Sequence, residues 1–228
     1  MIALALLAGA VLANRPMVCI DPGHPSETSR GCRGRRLTEV AVVWGLAKLL
    51  KAKLESAGVT VILTKSSQDQ FVTNKKRAEI ANQTGASLMI RLHCDAGPGS
   101  GFAVYYPDRA ATLQGLTGPS KDVLKESCVA AKAMHQAMAE TLRGELLDNG
   151  LRTDRETEVG HRQGALTGSV YSRVPVILVE ACVLTNPQDE RFIGSKRGQT
   201  AVVKALFQGV RAALAALGAE RRSSARLP

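Results

Sequence analysis

The chain predicts an α/β fold: a single-domain layer fold with a mostly parallel central sheet and helices on both faces. Three observations carry this reading. Strand-like and helix-like segments alternate from Met17 onward, as right-handed crossover connections require. The cleanest strand-like segments are almost unbroken apolar runs, which suit interior strands covered on both sides. Finally, 228 residues with 45 % apolar and 22 % charged side chains are enough for one substantial core and too few for two comfortable domains. With aromatics at 4 %, that core must come largely from Ala, Val, Leu and Ile.

The chain divides into residues 1–13, 14–218 and 219–228. The first piece carries the apolar run Ile2 to Ala13, too short to span a bilayer and followed by Asn14-Arg15-Pro16, so no transmembrane segment is expected. It reads as the core of an export signal with a small-residue end, although no Lys or Arg precedes it. A start placed too far downstream, or a buried N-terminal strand, gives the same pattern. Five segments then read as strands: Met17 to Asp21, Val59 to Leu63, Ser87 to His93, Gly101 to Tyr106 and Val174 to Glu180. Between the first two a helix is predicted from about Thr38 to Ala57, where Val43, Leu46, Leu50, Leu54 and Ala57 recur three or four apart, with Thr38 able to cap it and Gly58 just past the end. A shorter helix is predicted over Asn74 to Thr84. A longer one over Lys121 to Leu142 carries Leu124, Cys128, Ala131, His135, Met138 and Leu142 on one stripe. The last helix runs from Gln199 to Leu217, before a frayed basic tail from Ala219. Pro107 to Ser120 and Asn149 to Arg173 show no clear periodicity and read as functional rims or lids.

Chemistry follows from where polar residues fall. His24 comes directly after the first strand in Asp21-Pro22-Gly23-His24, while His93 ends the third strand and Glu180 the fifth. The carboxyl ends of strands in an open α/β sheet line one crevice, so these three converge there. Glu39 joins them if the first helix starts beside the same edge, where a carboxylate is also favoured by the helix dipole. Two imidazoles and one carboxylate are the ligand set of a catalytic zinc with an open fourth position. With four candidate groups, three can hold the metal and one carboxylate can stay free to carry a proton between water and a leaving nitrogen. That points to hydrolysis of an amide or peptide bond. Glu180, ending Val176-Ile177-Leu178-Val179, is the hardest to dismiss, because a carboxylate in such a run is costly unless it faces a wet or charged site. His135, on an apolar stripe, reads as a satisfied core or supporting histidine, and Cys94 should point away from His93 on the opposite face.

These words, in this order, resemble the zinc-dependent N-acetylmuramoyl-L-alanine amidases of bacterial cell-wall metabolism. The residues that carry the resemblance are Asp21-Pro22-Gly23-His24, Glu39 at a helix start, Arg77 with Ala78-Glu79-Ile80-Ala81-Asn82, and Arg91-Leu92-His93-Cys94-Asp95. Val174 to Glu180 followed by Leu184-Thr185-Asn186-Pro187 completes it, and the likeness runs from about Val18 to Leu217. It implies His24, Glu39 and His93 on zinc, Glu180 as the catalytic carboxylate, structural roles for Arg77 and Asn82, and peptidoglycan as substrate. The bond cut would join the muramic acid lactyl group to L-alanine of the stem peptide. The chain departs from the family at Pro25-Ser26 after the first histidine, at Arg91 and Asp95 around the second, and at Ala181-Cys182-Val183 after the glutamate. No departure removes one of the four chemical residues.

Thirty Lys and Arg against twenty Asp and Glu give a formal charge of +10, which favours an anionic partner such as anionic wall polymer. Arg33, Arg35 and Arg36 cluster near the first site residue, yet aromatics to stack bases are few and no nucleic-acid motif is present, so no nucleic-acid partner is expected. The rival readings are a zinc peptidase acting within the stem peptide and a non-catalytic wall-binding or activator protein; retention of all four residues disfavours the latter. The expected location is outside the cytoplasm, in the periplasm or on the cell wall. Five cysteines without a CxxC pair settle neither compartment nor pairing.

Overall fold

The structure, a computed structural model, describes residues 15–224; the apolar run Ile2 to Ala13 lies outside them. A six-stranded sheet is built from β1 (Met17–Pro22), β2 (Thr60–Leu63), β3 (Leu88–Asp95), β4 (Phe102–Tyr106), β7 (Asp148–Thr153) and β8 (Val176–Val183), in the order β2-β1-β3-β8-β4-β7. All neighbours are parallel except β4 against β8, so the sheet is mixed and mostly parallel as expected. Strands β5 (Ala111–Leu113) and β6 (Leu116–Gly118) form a separate hairpin.

Alternation along the strands sorts side chains between two faces. Val18 and Ile20 of β1, Leu88, Ile90 and Leu92 of β3, and Ile177 and Val179 of β8 enter the main core. That core is closed by α1 (Glu39–Ser56), α3 (Lys121–Leu142) and α7 (Lys196–Ser224). The opposite face is divided. Cys19, Met89 and Val176 pack under α2 (Asn74–Thr84), while Ala103, Tyr105 and Leu178 pack under Val159 and Leu166 beside α4 (Glu158–Gln163) and α5 (Thr167–Val170). Between these clusters the same face turns polar, with Asp21, Arg91, His93 and Glu180 next in the alternation. The cleft is therefore framed by helices on either side and floored by the sheet.

Caps set the helix starts. Thr38, Thr73 and Ser120 each accept a backbone N–H from the first turn of α1, α2 and α3, and Gly85 ends α2 in the left-handed region at φ 62°.

Several expectations are corrected. Pro107 to Ser120 holds the β5–β6 hairpin, and Asn149 to Arg173 supplies most of β7 with α4 and α5, short pieces whose periods are too brief to read, although the part from Thr157 to Thr167 does rim the cleft. Helix α6 (Pro187–Gly194) was not anticipated, although Asn186 caps it and Pro187 stands at its first turn. The buried stripe of α3 is Val123, Ser127, Ala130, Ala131, Met134, Met138 and Leu142, turned by one residue from the expected one over most of its length; only Ala131, Met138 and Leu142 are common to both. Ser127 is buried because its hydroxyl accepts the Val176 N–H at 2.9 Å, and His135 lies on the flank, bonded to Asp148 at 2.8 Å. Helix α7 continues to Ser224, so residues 219–224, expected as tail, are helical. His93 and Glu180 lie within strands that continue past them, to Asp95 and Val183.

Candidate metal centre and catalytic cleft

Parallel pairing of β3 with β8 places His93 directly opposite Glu180, and the antiparallel β4 places Ala103 on the other side of that glutamate. The β1 end brings in His24 on a turn with φ 51°, and the first residue of α1 brings in Glu39. His24, Glu39 and His93 each offer one donor atom, and the three atoms lie within 4.8 Å of one another. The two rings meet edge to face with centroids 4.9 Å apart. Gly23 makes this possible, since a side chain there would occupy the His93 ring.

Glu39 is held from both sides. Its Oε1 accepts the Cys94 N–H at 3.1 Å and lies 3.0 Å from His93 Nδ1, while its Oε2 accepts the Cys32 N–H at 2.8 Å. Burial alone would raise this carboxyl; the bonds to His24 and His93 outweigh it and hold it well below the usual carboxylate range. His24 Nδ1 faces the Ser29 carbonyl at 3.2 Å, which leaves Nε2, 3.4 Å from Glu39, for the cluster. Burial pushes the His93 imidazole down, favouring its neutral, ligating form.

Glu180 is in the opposite condition. Its Oε2 is out of contact with solvent and has no hydrogen-bond partner, as is His93 Nε2. Burial, then the negative charges of Glu39 and Asp95, push its pKa well above the ordinary value. Two buried polar atoms without partners on facing strands, beside a two-nitrogen, one-carboxylate cluster, are what a site made for a cation and a reacting molecule leaves open. The donor set fits zinc. Glu180 stands outside the donor cluster, while a cleft of about 540 Å³ takes in His24, His93, Glu180, Arg91, Leu178 and Arg162.

Beneath the cleft lies a polar network of which the sequence pointed only to Arg77, as a structural residue. Asp21 is wholly buried between two guanidiniums, with Arg77 Nη1 at 2.6 Å and Arg91 Nε at 3.0 Å, and accepts the Thr64 hydroxyl. Burial would raise Asp21; Arg77 and Arg91 together hold it far below the carboxylate range. Arg77 also donates to the carbonyls of Val72, Pro22 and Pro25, and Arg91 Nη2 to Asn74 Oδ1 at 2.5 Å. Lys65, buried, donates to the carbonyls of His24 and Gln68, and burial followed by Arg77 pulls its pKa down to about 8. The one further signal was an Asp ending an apolar run before Pro-Gly. Asn82 bonds to the Tyr171 carbonyl and the Arg173 amide, tying α2 to the segment before β8, a structural role.

The remaining two histidines fall elsewhere. His161 is exposed on α4, and a larger surface hollow of about 800 Å³ holds His135 and Asp148 but none of the four chemical residues. Cys94 points into the core, with its Sγ 3.9 Å from Cys182 Sγ, and all five cysteines are free.

Comparison with known proteins agrees with this geometry. The chain is 27 % identical over 217 residues to the N-acetylmuramoyl-L-alanine amidase AmiA of Escherichia coli strain K12, covering 85 % of this chain and 74 % of that protein. It is 26 % identical over 221 residues to AmiC of Neisseria meningitidis serogroup B, covering 86 % of this chain and 52 % of that one. Its fold superposes on the crystal structure of the amidase Ami1 from Mycobacterium smegmatis with a TM-score of 0.73 at 20 % identity, over 88 % of this chain and 97 % of that one. The sequence model of the N-acetylmuramoyl-L-alanine amidases matches residues 18–212. From the His24, Glu39 and His93 cluster, the mixed sheet that assembles it and this match over most of its length, the chain belongs to the N-acetylmuramoyl-L-alanine amidase family.

Proposed function

We propose that the protein hydrolyses the amide joining the lactyl group of N-acetylmuramic acid to L-alanine of the stem peptide in peptidoglycan. In this reading His24, Glu39 and His93 hold zinc, and Glu180 is the catalytic carboxylate. The observation that carries it is the placing of an unpartnered Glu180 opposite His93, outside a cluster that has all the donors a catalytic zinc needs.

When bound, zinc supplies Lewis-acid chemistry at the open side of the triad. Glu39 gives the site one negative charge, and the Cys32 and Cys94 amides fix its two oxygens so that it cannot swing toward the substrate. Glu180 takes a proton from the attacking water and delivers it to the departing alanine nitrogen, so that the C–N bond breaks with a neutral amine leaving. Its elevated pKa suits a group that must both accept and return that proton. The substrate lies in the cell wall, so the protein acts outside the cytoplasm, and its formal charge of +10 holds it against anionic wall polymer.

The test compares Glu180→Gln and Glu39→Gln side by side, measuring zinc content and hydrolysis of a soluble muropeptide. Glu180→Gln should keep its zinc while kcat falls by roughly 10²–10⁴. Glu39→Gln should lose zinc and activity together. If Glu180→Gln sheds its metal while Glu39→Gln keeps it, the two roles are exchanged. Full activity in Glu180→Gln contradicts the mechanism.

A further inference from the structure

The loop between β1 and α1 carries Arg30, Arg33, Arg35 and Arg36 within seven residues, and all four are exposed. Arg191 of α6 is exposed beside them, and a groove of about 410 Å³ is lined by Arg35, Arg36 and Arg191 with Leu37, Pro187 and one carboxylate, Glu190. Among the described residues, none of these five guanidiniums lies within ion-pair distance of a carboxylate. The neighbouring carboxylates of Glu190, Glu39 and Asp189 are engaged by backbone amides or by the imidazoles. Glu190 accepts the Arg36 and Leu37 amides at 2.7 and 2.9 Å, Glu39 faces the metal cluster, and Asp189 accepts the Gly101 and Val183 amides.

The loop is also stiff. Arg33 pairs with Thr38 in a β-bridge, the Gly34 N–H bonds to the Leu37 carbonyl at 3.0 Å, and a side chain at Gly34 would run into Glu190. At its other end the loop touches the chemistry directly: the Cys32 N–H holds Glu39, and a Cβ on Gly31 would stand 3.0 Å from the same carboxylate. Four guanidiniums without an ion-pair partner on a pinned loop, one step from the metal ligands, with Arg191 of α6 beside them, make an anion-binding surface with little ordering cost. That every one is Arg and none is Lys suits paired hydrogen bonds to oxyanions.

We infer that this arginine surface docks a phosphodiester-linked wall polymer and so holds the neighbouring cleft against its substrate. The choice of polymer rests on the amidase reading; the anion-binding surface does not. Residues 25–42 contain no aromatic side chain to stack a base, and Leu37, half-buried, is a poor anchor for a bilayer, so nucleic acid and membrane fit less well.

The test uses the zinc-loaded full chain with soluble poly(glycerol phosphate) as probe, at low salt and again at about 0.5 M, where screening is strong. An oligonucleotide of matched phosphate number and phosphatidylglycerol vesicles are run alongside. Arg33→Gln/Arg35→Gln/Arg36→Gln should weaken polymer binding about tenfold or more, and Lys132→Gln/Lys204→Gln/Arg211→Gln, the same charge removed from α3 and α7, by less than about twofold. Both triple variants should hydrolyse a small soluble muropeptide at the wild-type rate. Equal weakening in the two triples reduces the effect to net charge and overturns the proposal. So does tighter binding of the oligonucleotide or the vesicles, or loss of muropeptide hydrolysis in the arginine triple alone. If the wild type binds polymer through these arginines but cleaves no muropeptide, the amidase reading fails and the docking surface stands.

Discussion

Glu39 and Glu180 are the same residue type under opposite constraints, and the difference lies in what surrounds their oxygens. Glu39 has two amides and two imidazoles; Glu180 has a buried oxygen with nothing to bond. In metal-free protein this makes Glu180 a cost that depends on pH. Near pH 4 its carboxyl is largely protonated in both states, so Glu180→Gln changes little. As pH rises past the ordinary value of 4.5, the unfolded chain ionises and the folded one resists, so wild type loses stability relative to the variant. Thermal melts of the two apo proteins should therefore separate between pH 5 and 8, with Glu180→Gln the higher; coincident melts across that range would contradict the electrostatic account. Asp21 carries the reverse sign. Its folded pKa is depressed, so its contribution is present above about pH 4 and is lost as pH falls through the folded value. Asp21→Ala leaves two guanidiniums buried without their carboxylate and should cost about 3–5 kcal/mol in urea unfolding at neutral pH. The meeting of His24, Glu39, His93 and Glu180 was legible in the sequence because the carboxyl-terminal parts of neighbouring parallel strands and a helix start share one edge of the sheet. The Asp21–Arg77–Arg91 network was not, because it depends on the lateral register of β1 and β3 and on how α2 lies across them.

At the scale of elements, long segments announced themselves and short ones did not. Helices α2 and α3 have the predicted bounds and α1 differs by one residue at each end, because Thr73 and Gly85 bracket α2 while caps and apolar repeats over several turns mark α1 and α3. Strands β5, β6 and β7 have three to six residues and take their order from neighbours rather than from their own pattern. The buried stripe of α3 departs from its apolar one because Ser127 is buried by a hydrogen bond and His135 is drawn to the flank by Asp148. The α3–α7 crossing rests on Gly209, where a Cβ would stand 2.8 Å from Met134 Cγ and 3.2 Å from Met138 Cγ. Gly209→Val should lower stability by about 1–3 kcal/mol through overpacking. The check is a lower urea midpoint with an unchanged slope, and an unaltered midpoint would show that the two methionines yield without cost.

For the whole molecule, one sheet performs two tasks, filling a core on one face and opening a polar cleft on the other. Helix α7 is long and apolar enough to cross a membrane by length and composition, but Val202, Leu206, Val210 and Leu217 are buried in the core. It is read as a core helix. Metal and fold are linked, because zinc bound only by the folded chain stabilises it by mass action. Purified protein should carry about one zinc per chain, lose activity and melting temperature to a chelator, and recover both on zinc addition. The central claim is the identity of the bond that is cut, and the most direct measurement is mass analysis of the fragments released from purified peptidoglycan by the zinc-loaded protein. Cleavage at the lactyl amide releases stem peptides with a free N-terminal L-alanine and leaves glycan strands whose muramic acid keeps its lactyl carboxyl. Fragments cut within the stem peptide, with L-alanine still joined to the glycan, would contradict it.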